Sequence, residues 1–420
     1  MKLIILLFTG AFILLFTDCT KDSVSEKYTF YRPVYKTKAS VQNAITAAAP
    51  TLINNAGKIV WKDHYIFLNE VDKGVHIIDI ANPANPVNLY YIAIPGCVDI
   101  AVNGNYLYAD CYTDLVTIDI SNPANAKLKK VNEGVFPHRI YNGYYLDTTN
   151  IITEWLRIDT VVTSRFSGTL TQSITQNMNL RNRAVMDFAS VANSKSFSGG
   201  FGVAGSMARF ALSNERMYTV SNTDLKVFNI SQAASPEFTG KQVLPLGDIE
   251  TIFPYKQNLF IGSRSGMFIY NTINPDQPQK RSQFIHSRSC DPVIADDNFA
   301  YITLWGGSSC GGFSNQLDIV DIRNLSAPTL LRTYPLTSPK GLSKDGDILM
   351  ICDGKEGLKL MNVAKASFVT PIKTVGGFEG TDIIAYNGIA IVTAKDGLYC
   401  INYTNPSQAF IAGKIEIFAQ

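Results

Sequence analysis

Short alternating apolar stretches recur along most of the chain, each in a fixed relation to an Asp or Asn residue. Residues 74–86 read GVHIIDIANPANP, and residues 114–126 read DLVTIDISNPANA. Five further copies follow, and across the seven copies the shared acid or amide is Asp79, Asp119, Asn229, Asn271, Asp321, Asn362 and Asn402. Successive copies therefore lie 40, 110, 42, 50, 41 and 40 residues apart. A period near forty residues is typical of propeller blades or helical repeats.

The apolar spacing within each repeat favours β-strands over helices. Alternating segments such as residues 106–109 precede the copies, and tight-turn pairs such as Asn103-Gly104 precede these segments. Another apolar strand comes before that turn, and a fourth follows the Asn-Pro segment, as in residues 87–94. Each unit therefore predicts four antiparallel strands, which is one propeller blade. We expect an all-β protein, with a β-propeller of seven four-stranded blades over residues 51–420 and six or eight blades as alternatives.

One spacing departs from the period. The 110 residues between the second and third copies leave room for a blade and about seventy extra residues, or for two blades. Residues 164–206 contain the sequence FSGGFG and little periodic apolar pattern, as is typical of a long excursion. We therefore predict an insertion at about residues 161–206, in the third blade.

The recurring Asp or Asn has a structural interpretation. It stands at the end of the third strand of each unit, where its side chain can cap the turn that leads through Asn-Pro into the fourth strand. Because every copy has this residue, we expect it to shape the turn rather than to act in catalysis.

Two of the copies resemble a known repeat. Residues 115–119 (LVTID) and 317–321 (LDIVD) resemble the LVIVD repeat, which names a family of bacterial propeller-like envelope proteins. The resemblance covers most of residues 50–420 and is closest to LVIVD-repeat lipoproteins of the Bacteroidetes. Asn replaces Asp in four copies, and Asn324-Leu325 replaces Asn-Pro in one. The resemblance implies a propeller, whereas most members of the family have no assigned biochemical activity.

Residues 1–19 have the pattern of a signal peptide. Lys2 is followed by the apolar run 3–16, which is too short to span a bilayer comfortably. Residues 16–19 (FTDC) resemble a bacterial lipobox with Cys19 as the lipidation site, although Asp18 departs from the small residue of that pattern. Plain secretion is the alternative. We expect residues 20–50 to form a tether and an N-terminal extension. The protein would then be an outer-membrane lipoprotein of the cell envelope, either periplasmic or surface-exposed, with the membrane as a partner through its lipid.

Composition and motifs narrow the function classes. Hydrophobic residues make up 46% of the chain, enough for a large core, and the 37 basic and 35 acidic residues are mixed along it. No nucleic-acid partner is therefore expected. The four His residues lack metal-ligand spacing, and neither a Walker loop nor a Gly-x-Ser-x-Gly elbow occurs. We expect no metal and no cofactor.

Charged residues stand near the predicted heads of the first strands. In a four-stranded blade the connection into the first strand and the loop between the second and third strands share one rim, where propellers tend to bind ligands. The candidate ligand-binding residues at this channel mouth are His138, Arg139, Arg209, Glu250, Arg288, Asp291, Lys340 and Asp382. They either bind a polar ligand or pair with one another and close the channel.

Six cysteines remain besides Cys19, and disulfides are common in the cell envelope. Cys97 and Cys111 flank the Asn103-Gly104 turn and are disulfide candidates across the hairpin. Cys290 and Cys310 belong to the same rim and form a second candidate pair. The other two, Cys352 and Cys400, are expected to be buried thiols.

Three functions fit this sequence. The first, which we favour, is a non-enzymatic binding or interaction scaffold that holds a glycan, a peptide or an envelope protein at the channel-mouth rim. The second is a channel-mouth enzyme, a lyase or glycan hydrolase that uses carboxylates such as Glu250, Asp291 and Asp382 with His138 and Arg288. The third is a purely structural subunit of an envelope complex.

Overall fold

The structure is a computed structural model that describes residues 23–136, 140–141, 144–145, 150–165, 200, 202–244, 249–286, 292–306 and 314–418. The chain divides into a larger unit, Lys36–Ile151 with Arg183–Gln420, and a smaller unit, Met1–Tyr35 with Ile152–Asn182. Within the described ranges, no helix has the length and apolar character of a membrane span.

The described chain begins with strand β1 (Ser23–Thr37), a short helix α1 (Lys38–Gln42) and strand β2 (Thr46–Ala48). Blade 1 consists of β3 (Ala56–Lys62), β4 (Tyr65–Glu70), β5 (Gly74–Asp79) and β6 (Val87–Ala93). Blade 2 consists of β7 (Ile100–Asn103), β8 (Tyr106–Cys111), β9 (Asp114–Asp119) and β10 (Lys127–Asn132). Four strands then precede blade 3: β11 (Ile140–Tyr141), β12 (Tyr144–Tyr145), β13 (Asn150–Arg165) and β14 (Val203–Ala204).

The remaining blades follow in chain order. Blade 3 consists of β15 (Phe210–Ser213), β16 (Arg216–Val220), β17 (Asp224–Asn229) and β18 (Glu237–Val243). Blade 4 consists of β19 (Ile249–Tyr255), β20 (Asn258–Ser263), β21 (Gly266–Asn271) and β22 (Gln279–Ile285). Blade 5 consists of β23 (Val293–Ala295), β24 (Phe299–Leu304), β25 (Gln316–Asp321) and β26 (Thr329–Pro335).

Blades 6 and 7 end the chain. Blade 6 consists of β27 (Leu342–Asp345), β28 (Ile348–Cys352), β29 (Leu358–Asn362) and β30 (Thr370–Val375). Blade 7 consists of β31 (Gly380–Tyr386), β32 (Ile389–Ala394), β33 (Gly397–Asn402) and β34 (Phe410–Glu416). Two short 3₁₀ helices, Pro123–Asn125 and Pro406–Gln408, lie in the turns before β10 and β34.

These strands confirm the predicted seven-bladed, all-β propeller with its long insertion. The insertion lies ahead of the third blade, in the connection between β10 and β15. Blade 1 is widened by β2 on its outer edge and by β14 on its inner edge. In every blade the pairing of the third and fourth strands contains a register shift, as between Val227 and Phe228. Such bulges add twist to the outer strand of each sheet.

The core lies between neighbouring sheets. The second and third strands are almost entirely buried, as in β4 and β5, because each sheet packs against a neighbour on both of its faces. One apolar cluster joins Ile66 and Ile78 of blade 1 to Ile384 and Ile391 of blade 7. The first and last blades therefore pack against each other and close the ring.

The repeated Asp or Asn caps its turn, as predicted. In six of the seven copies its Oδ1 atom accepts a hydrogen bond from the backbone N–H two residues later, at 2.7 to 3.0 Å. The same turn also contacts the preceding blade. The hydroxyl of Tyr108 in blade 2 donates to Ala233 O in the blade 3 turn, and that of Tyr218 in blade 3 donates to Pro275 O in the blade 4 turn. The repeat therefore shapes both the blade and the contact between blades.

Replacing Asp119 by Asn is expected to destabilise the protein in a pH-dependent way. Hydrogen bonds from the Ser121 side chain and backbone, with Lys129 nearby, lower the pKa of Asp119 to about 2. A lowered pKa contributes stability above the unfolded-state value near 4, and this contribution is lost as the pH falls towards 2. Asp119→Asn keeps a capping oxygen but no charge, so we expect a loss of about 1 kcal/mol near pH 7 that shrinks towards zero in acid.

Urea unfolding of both proteins across this pH range measures the effect. Asn229→Ala in blade 3 is the matched control, because it removes a turn cap that carries no charge. We expect it to cost about 1 kcal/mol at every pH. An Asp119→Asn deficit that stays constant down to the pKa of the carboxyl would contradict the prediction.

Candidate functional site

The propeller has two rims, which are named here by their loops. The upper rim carries the connections into the first strand of each blade and the loops between second and third strands. The lower rim carries the turns between first and second strands and those between third and fourth strands. The first strands line the axis, so a ligand site at the channel mouth would lie at the upper rim.

The axis of the ring is occupied by residues 202–209, which we call the channel segment. At the lower rim, the N–H of Gly104 in the β7–β8 turn donates to Gly200 O at 3.0 Å. At the upper rim, Arg209 Nη2 donates to Asn222 Oδ1 at 3.2 Å in the β16–β17 loop. The insertion therefore returns at the lower rim, runs up the axis and enters blade 3 at the upper rim.

The channel segment bonds to several sides of the ring. Its strand β14 pairs antiparallel with β3 of blade 1. The N–H of Gly205 donates to Ile59 O in blade 1, and the N–H of Ile252 in blade 4 donates to Ala208 O, both at 3.0 Å. Residues 205–208 are buried. The chain itself thus fills the space that a ligand in the channel would need.

A buried carboxylate in blade 7 holds the middle of the channel segment. Asp382 is 2% exposed, and its Oδ1 accepts hydrogen bonds from the N–H of Ser206 at 2.9 Å and from the Ser206 hydroxyl at 3.2 Å. Ser206 Oγ in turn accepts from the N–H of Leu342 in blade 6 at 2.6 Å. A Cβ atom on Gly341 would lie 2.4 Å from Asp382 Oδ1, so only glycine fits beside this contact.

A buried ion pair holds the upper part of the segment. Lys58 Nζ lies 2.8 Å from Asp99 Oδ2, and the two side chains are 2% and 3% exposed. Lys58 Nζ also donates to Met207 O at 3.0 Å, and the Arg209 N–H donates to Asp99 Oδ2 at 2.7 Å. Lys58 and Asp99 were not among the predicted site residues. The signal in the sequence is Lys58, which stands before the apolar residues 59–61 inside the first strand of blade 1.

Four of the eight predicted site residues lie in the described part of the chain, namely Arg209, Glu250, Lys340 and Asp382. The other four, His138, Arg139, Arg288 and Asp291, lie outside the described residues, as do Cys19, Cys290 and Cys310. Asp382 is buried against the channel segment. The other three described residues are half-buried at the upper rim.

The charged groups of Arg209, Glu250 and Lys340 each contact another residue of the protein. Arg209 Nη2 donates to Ile249 O at 3.3 Å as well as to Asn222. Glu250 Oε1 lies 2.9 Å from Arg264 Nε in the β20–β21 loop. Lys340 Nζ lies 3.7 Å from Glu379 Oε1. Each of these three charged side chains therefore has a partner within the described part of the protein.

The described residues at the upper rim of blades 5 to 7 form a polar surface cluster. Lys340 Nζ lies 5.5 Å above the ring of Trp305, and Glu379 contacts Lys395 at 2.9 Å. Burial opposes ionisation of Glu379, but the hydrogen bond from Lys395 and the charge of Lys340 outweigh it, so the pKa of Glu379 lies below its usual range. We call Trp305, Lys340, Glu379 and Lys395 the rim cluster. It combines fixed charges with an aromatic ring.

The four cysteines within the described residues are all buried. Cys97 and Cys111 are both buried thiols in this structure, and Cys97 Sγ accepts from Asn69 Nδ2 at 3.3 Å. The bridge between them stays a prediction for the oxidised protein. Cys352 and Cys400 are buried thiols, as expected, and burial raises both pKa values, that of Cys400 to about 12. Such thiols are inert at neutral pH.

Comparison with known proteins supports the architecture. The sequence model of the LVIVD repeat matches residues 54–90, 97–131 and 287–335, which correspond to blades 1, 2 and 5. No curated protein matches the chain.

Among solved structures, the computationally designed Ika8 protein is similar with a TM-score of 0.52 at 8% identity, over 89% of this chain and 91% of that one. A functionally unknown protein from Desulfotomaculum acetoxidans is similar with a TM-score of 0.50 at 12% identity, over 87% of this chain and 100% of that one. At these identities the likeness concerns the fold alone. The chain is therefore a seven-bladed β-propeller that contains LVIVD repeats.

Proposed function

We propose that the protein is a cell-envelope lipoprotein that acts as a non-enzymatic binding scaffold through the upper rim of its propeller. The observation that carries this proposal is the filled channel. Ligand and active sites are usually concave pockets that enclose most of a small molecule. Residues 202–209 take up the axial space, and Asp382 and the Lys58–Asp99 pair bind them there. Recognition is then left to the rim surface.

The rim cluster supports binding of a polar partner. Lys395 is 63% exposed, whereas Lys340 and Glu379 are 16% and 22% exposed. A preformed pair of opposite charges beside the ring of Trp305 offers both hydrogen bonds and an apolar face. Glycans and peptides are recognised through such combinations of polar groups and aromatic rings. A glycan, a peptide or an envelope protein is therefore the expected partner.

A binding screen of the full chain against glycan and peptide arrays tests the role of the rim. Replacement of Lys340 and Glu379 together by Ala removes opposite charges at once and leaves the net charge unchanged. We expect this variant to lose roughly tenfold in affinity for the ligand that the screen finds. Arg323→Ala is the control, because Arg323 is an exposed charge, 67% accessible, on the lower rim. Equal affinity of the double variant and the wild type, or turnover of a screened glycan, would overturn the proposal.

The envelope part of the proposal rests on the N-terminal sequence. The apolar run 3–16 and Cys19 have the order of an export signal followed by a lipidated residue. We expect fractionated bacterial cells to hold the protein in the membrane fraction and Cys19→Ala to move it to the soluble fraction. Metabolic labelling with a fatty acid should mark the wild type only. Wild-type protein found unlabelled in the soluble fraction would overturn this part.

A further inference from the structure

The smaller unit contains a two-stranded sheet made of β1 and β13, which we call the ribbon. Thr29 Oγ1 donates to Asp159 Oδ1 at 2.6 Å, and Thr153 Oγ1 donates to Val34 O at 3.4 Å. The chain positions of these contacts run in opposite order, so the strands are antiparallel. With 15 and 16 residues they are far longer than the usual strand, and each extends over roughly 50 Å.

The ribbon exposes aromatic side chains on both faces. Tyr28, Phe30, Tyr31 and Tyr35 are 48%, 49%, 58% and 57% exposed. Because side chains alternate along a strand, Tyr28 and Phe30 lie on one face and Tyr31 and Tyr35 on the other. A two-stranded sheet is marginally stable in water without a third strand or a packed face. The ribbon therefore needs external material to cover its aromatic side chains.

The composition of β1 indicates what that material is. Three of the four exposed rings are tyrosines. Exposed charges lie beside them: Glu26 and Lys27 precede Tyr28, Arg32 follows Tyr31, and Lys36 follows Tyr35. Lys and Glu, which make up three of these four charges, are depleted at the cores of protein–protein interfaces. Tyrosine rings with nearby Lys and Arg are instead typical of the membrane–water interface, where an apolar ring and a polar end are both accommodated. The lipid headgroup layer matches this mixture.

The position of the ribbon in the chain points to the same surface. Strand β1 begins at Ser23, four residues after Cys19 and seven after Phe16, the last residue of the apolar run. An extended chain covers at most about 3.5 Å per residue, so seven residues reach at most about 25 Å. A bilayer that holds the N-terminus therefore keeps the start of β1 within reach of its headgroups.

We propose that the ribbon lies against the membrane surface, with its tyrosines in the headgroup region of the bilayer that holds the N-terminus. This inference rests on the membrane anchoring in the proposed function and adds a second, non-covalent contact to it. Side chains on both faces can be covered if the ribbon lies within the headgroup layer, which is several ångströms deep.

Trp155 in β13 offers a direct measurement, because Trp61 and Trp305 are the only other tryptophans. The full chain carrying Trp61→Phe and Trp305→Phe is reconstituted through its N-terminus into phosphatidylcholine and phosphatidylglycerol vesicles, with or without brominated acyl chains. Bromine quenches indole fluorescence only at short range. We expect roughly twofold lower Trp155 emission in brominated vesicles, as for side chains placed 5–10 Å into the interface.

Two sets of variants test whether the aromatic side chains of the ribbon make the contact with the membrane. Tyr28, Phe30, Tyr31 and Tyr35 replaced together by Ser should abolish most of the quenching, while Phe368→Ser, which removes a 71% exposed ring of blade 6, should leave it unchanged. Circular dichroism checks that each variant remains folded.

Equal Trp155 emission in both kinds of vesicle would overturn the inference, and a cross-linked ribbon dimer in that sample would identify a second copy as the cover instead. Reconstitution inserts the N-terminus without export or lipidation in the cell. A failure here is therefore distinguishable from a failure of the fractionation experiment, which tests the proposed function.

Discussion

Replacing Lys58 by Met is expected to lower the free energy of unfolding by about 3–5 kcal/mol. The substitution removes the ammonium group that neutralises the buried Asp99 carboxylate at 2.8 Å. It also removes the hydrogen bond to Met207 O in the channel segment. A carboxylate left unpaired at this depth retains the desolvation cost without the compensating attraction. The loss therefore exceeds that of an ordinary surface ion pair.

Lys62→Met on the same strand is the matched control. Lys62 pairs with Asp63 at 2.6 Å, but the Asp63 side chain is 68% exposed, so water screens the pair. We expect a cost of about 0–1 kcal/mol. Urea unfolding of the two variants gives the comparison. Equal costs for Lys58→Met and Lys62→Met would show that the inner pair does not hold the channel segment.

The double variant Lys58→Met with Asp99→Leu separates charge from hydrogen bonding. Replacing both members of a buried pair by apolar residues can restore stability. Here recovery should be partial, because Asp99 also accepts the N–H groups of Arg209 and Ile100, at 2.7 and 2.9 Å. Without the carboxylate these two N–H groups, one buried and one partly buried, lose their acceptor. Full recovery would mean that neither contact matters to stability.

The propeller could be predicted from the sequence because the contacts that define each blade are local and their residues recur in every repeat. In six of seven copies the Asp or Asn caps the same turn, and this contact joins residues two positions apart. A pattern written seven times along the chain identifies the strands and their order. The place of the insertion followed from the one spacing that breaks the period.

The filled channel could not be predicted in this way. Residues 202–209 read GVAGSMAR and have no alternating apolar pattern. Their partners are far away in sequence, as the 176 residues between Ser206 and Asp382 show. In hindsight, the small side chains are the signal. A Cβ atom on Gly202 would lie 2.5 Å from Val60 Cγ1, so the segment approaches blade 1 closely at a residue that has no side chain.

The repeat indicates which charged residues stand near the heads of the first strands, and their role in ligand binding stays a prediction. Glu250 and Lys340 lie at the upper rim, whereas Asp382 is buried against the channel segment. The repeat could not show that Arg264 and Glu379 come from neighbouring loops to bind two of these charges. The loop sequences differ from blade to blade, so the repeat pattern does not predict how the loops fold.

Replacing Gly413 by Ala is expected to lower the free energy of unfolding by about 3 kcal/mol, because the new methyl group would force the closed ring apart. Gly413 lies in β34, where the turn of blade 1 packs against blade 7. A Cβ atom there would lie 2.3 Å from Pro83 O and 3.0 Å from the carbonyl carbon of Ala84. Both are backbone atoms of a capped turn, so no side chain can rotate away. The substitution therefore acts on the contact between the last and first blades.

Gly376→Ala is the control, because its Cβ would lie 3.6 Å from Glu356 O, an ordinary contact. It should leave stability within about 1 kcal/mol of the wild type and can even raise it. Gly240→Ala creates similar crowding away from the contact between the first and last blades, since its Cβ would lie 2.4 Å from Asp276 O between blades 3 and 4. It therefore shows which effects come from crowding alone. Both crowded variants should unfold at lower urea concentration.

Hydrogen exchange then distinguishes the two crowded positions. Closure between blades 7 and 1 has, besides the sheet packing, a main-chain bridge in which the N–H of Phe418 donates to Ile53 O at 2.8 Å. Gly413→Ala should accelerate amide exchange in β33 and β34 first, because these strands lie at the seam where the chain ends meet. Gly240→Ala should leave exchange there unchanged. Equal free energies of unfolding and equal exchange rates for Gly413→Ala and Gly376→Ala would contradict the prediction. The contact between blades 7 and 1 would then be loose enough to admit a methyl group, and apolar packing alone would hold the ring closed.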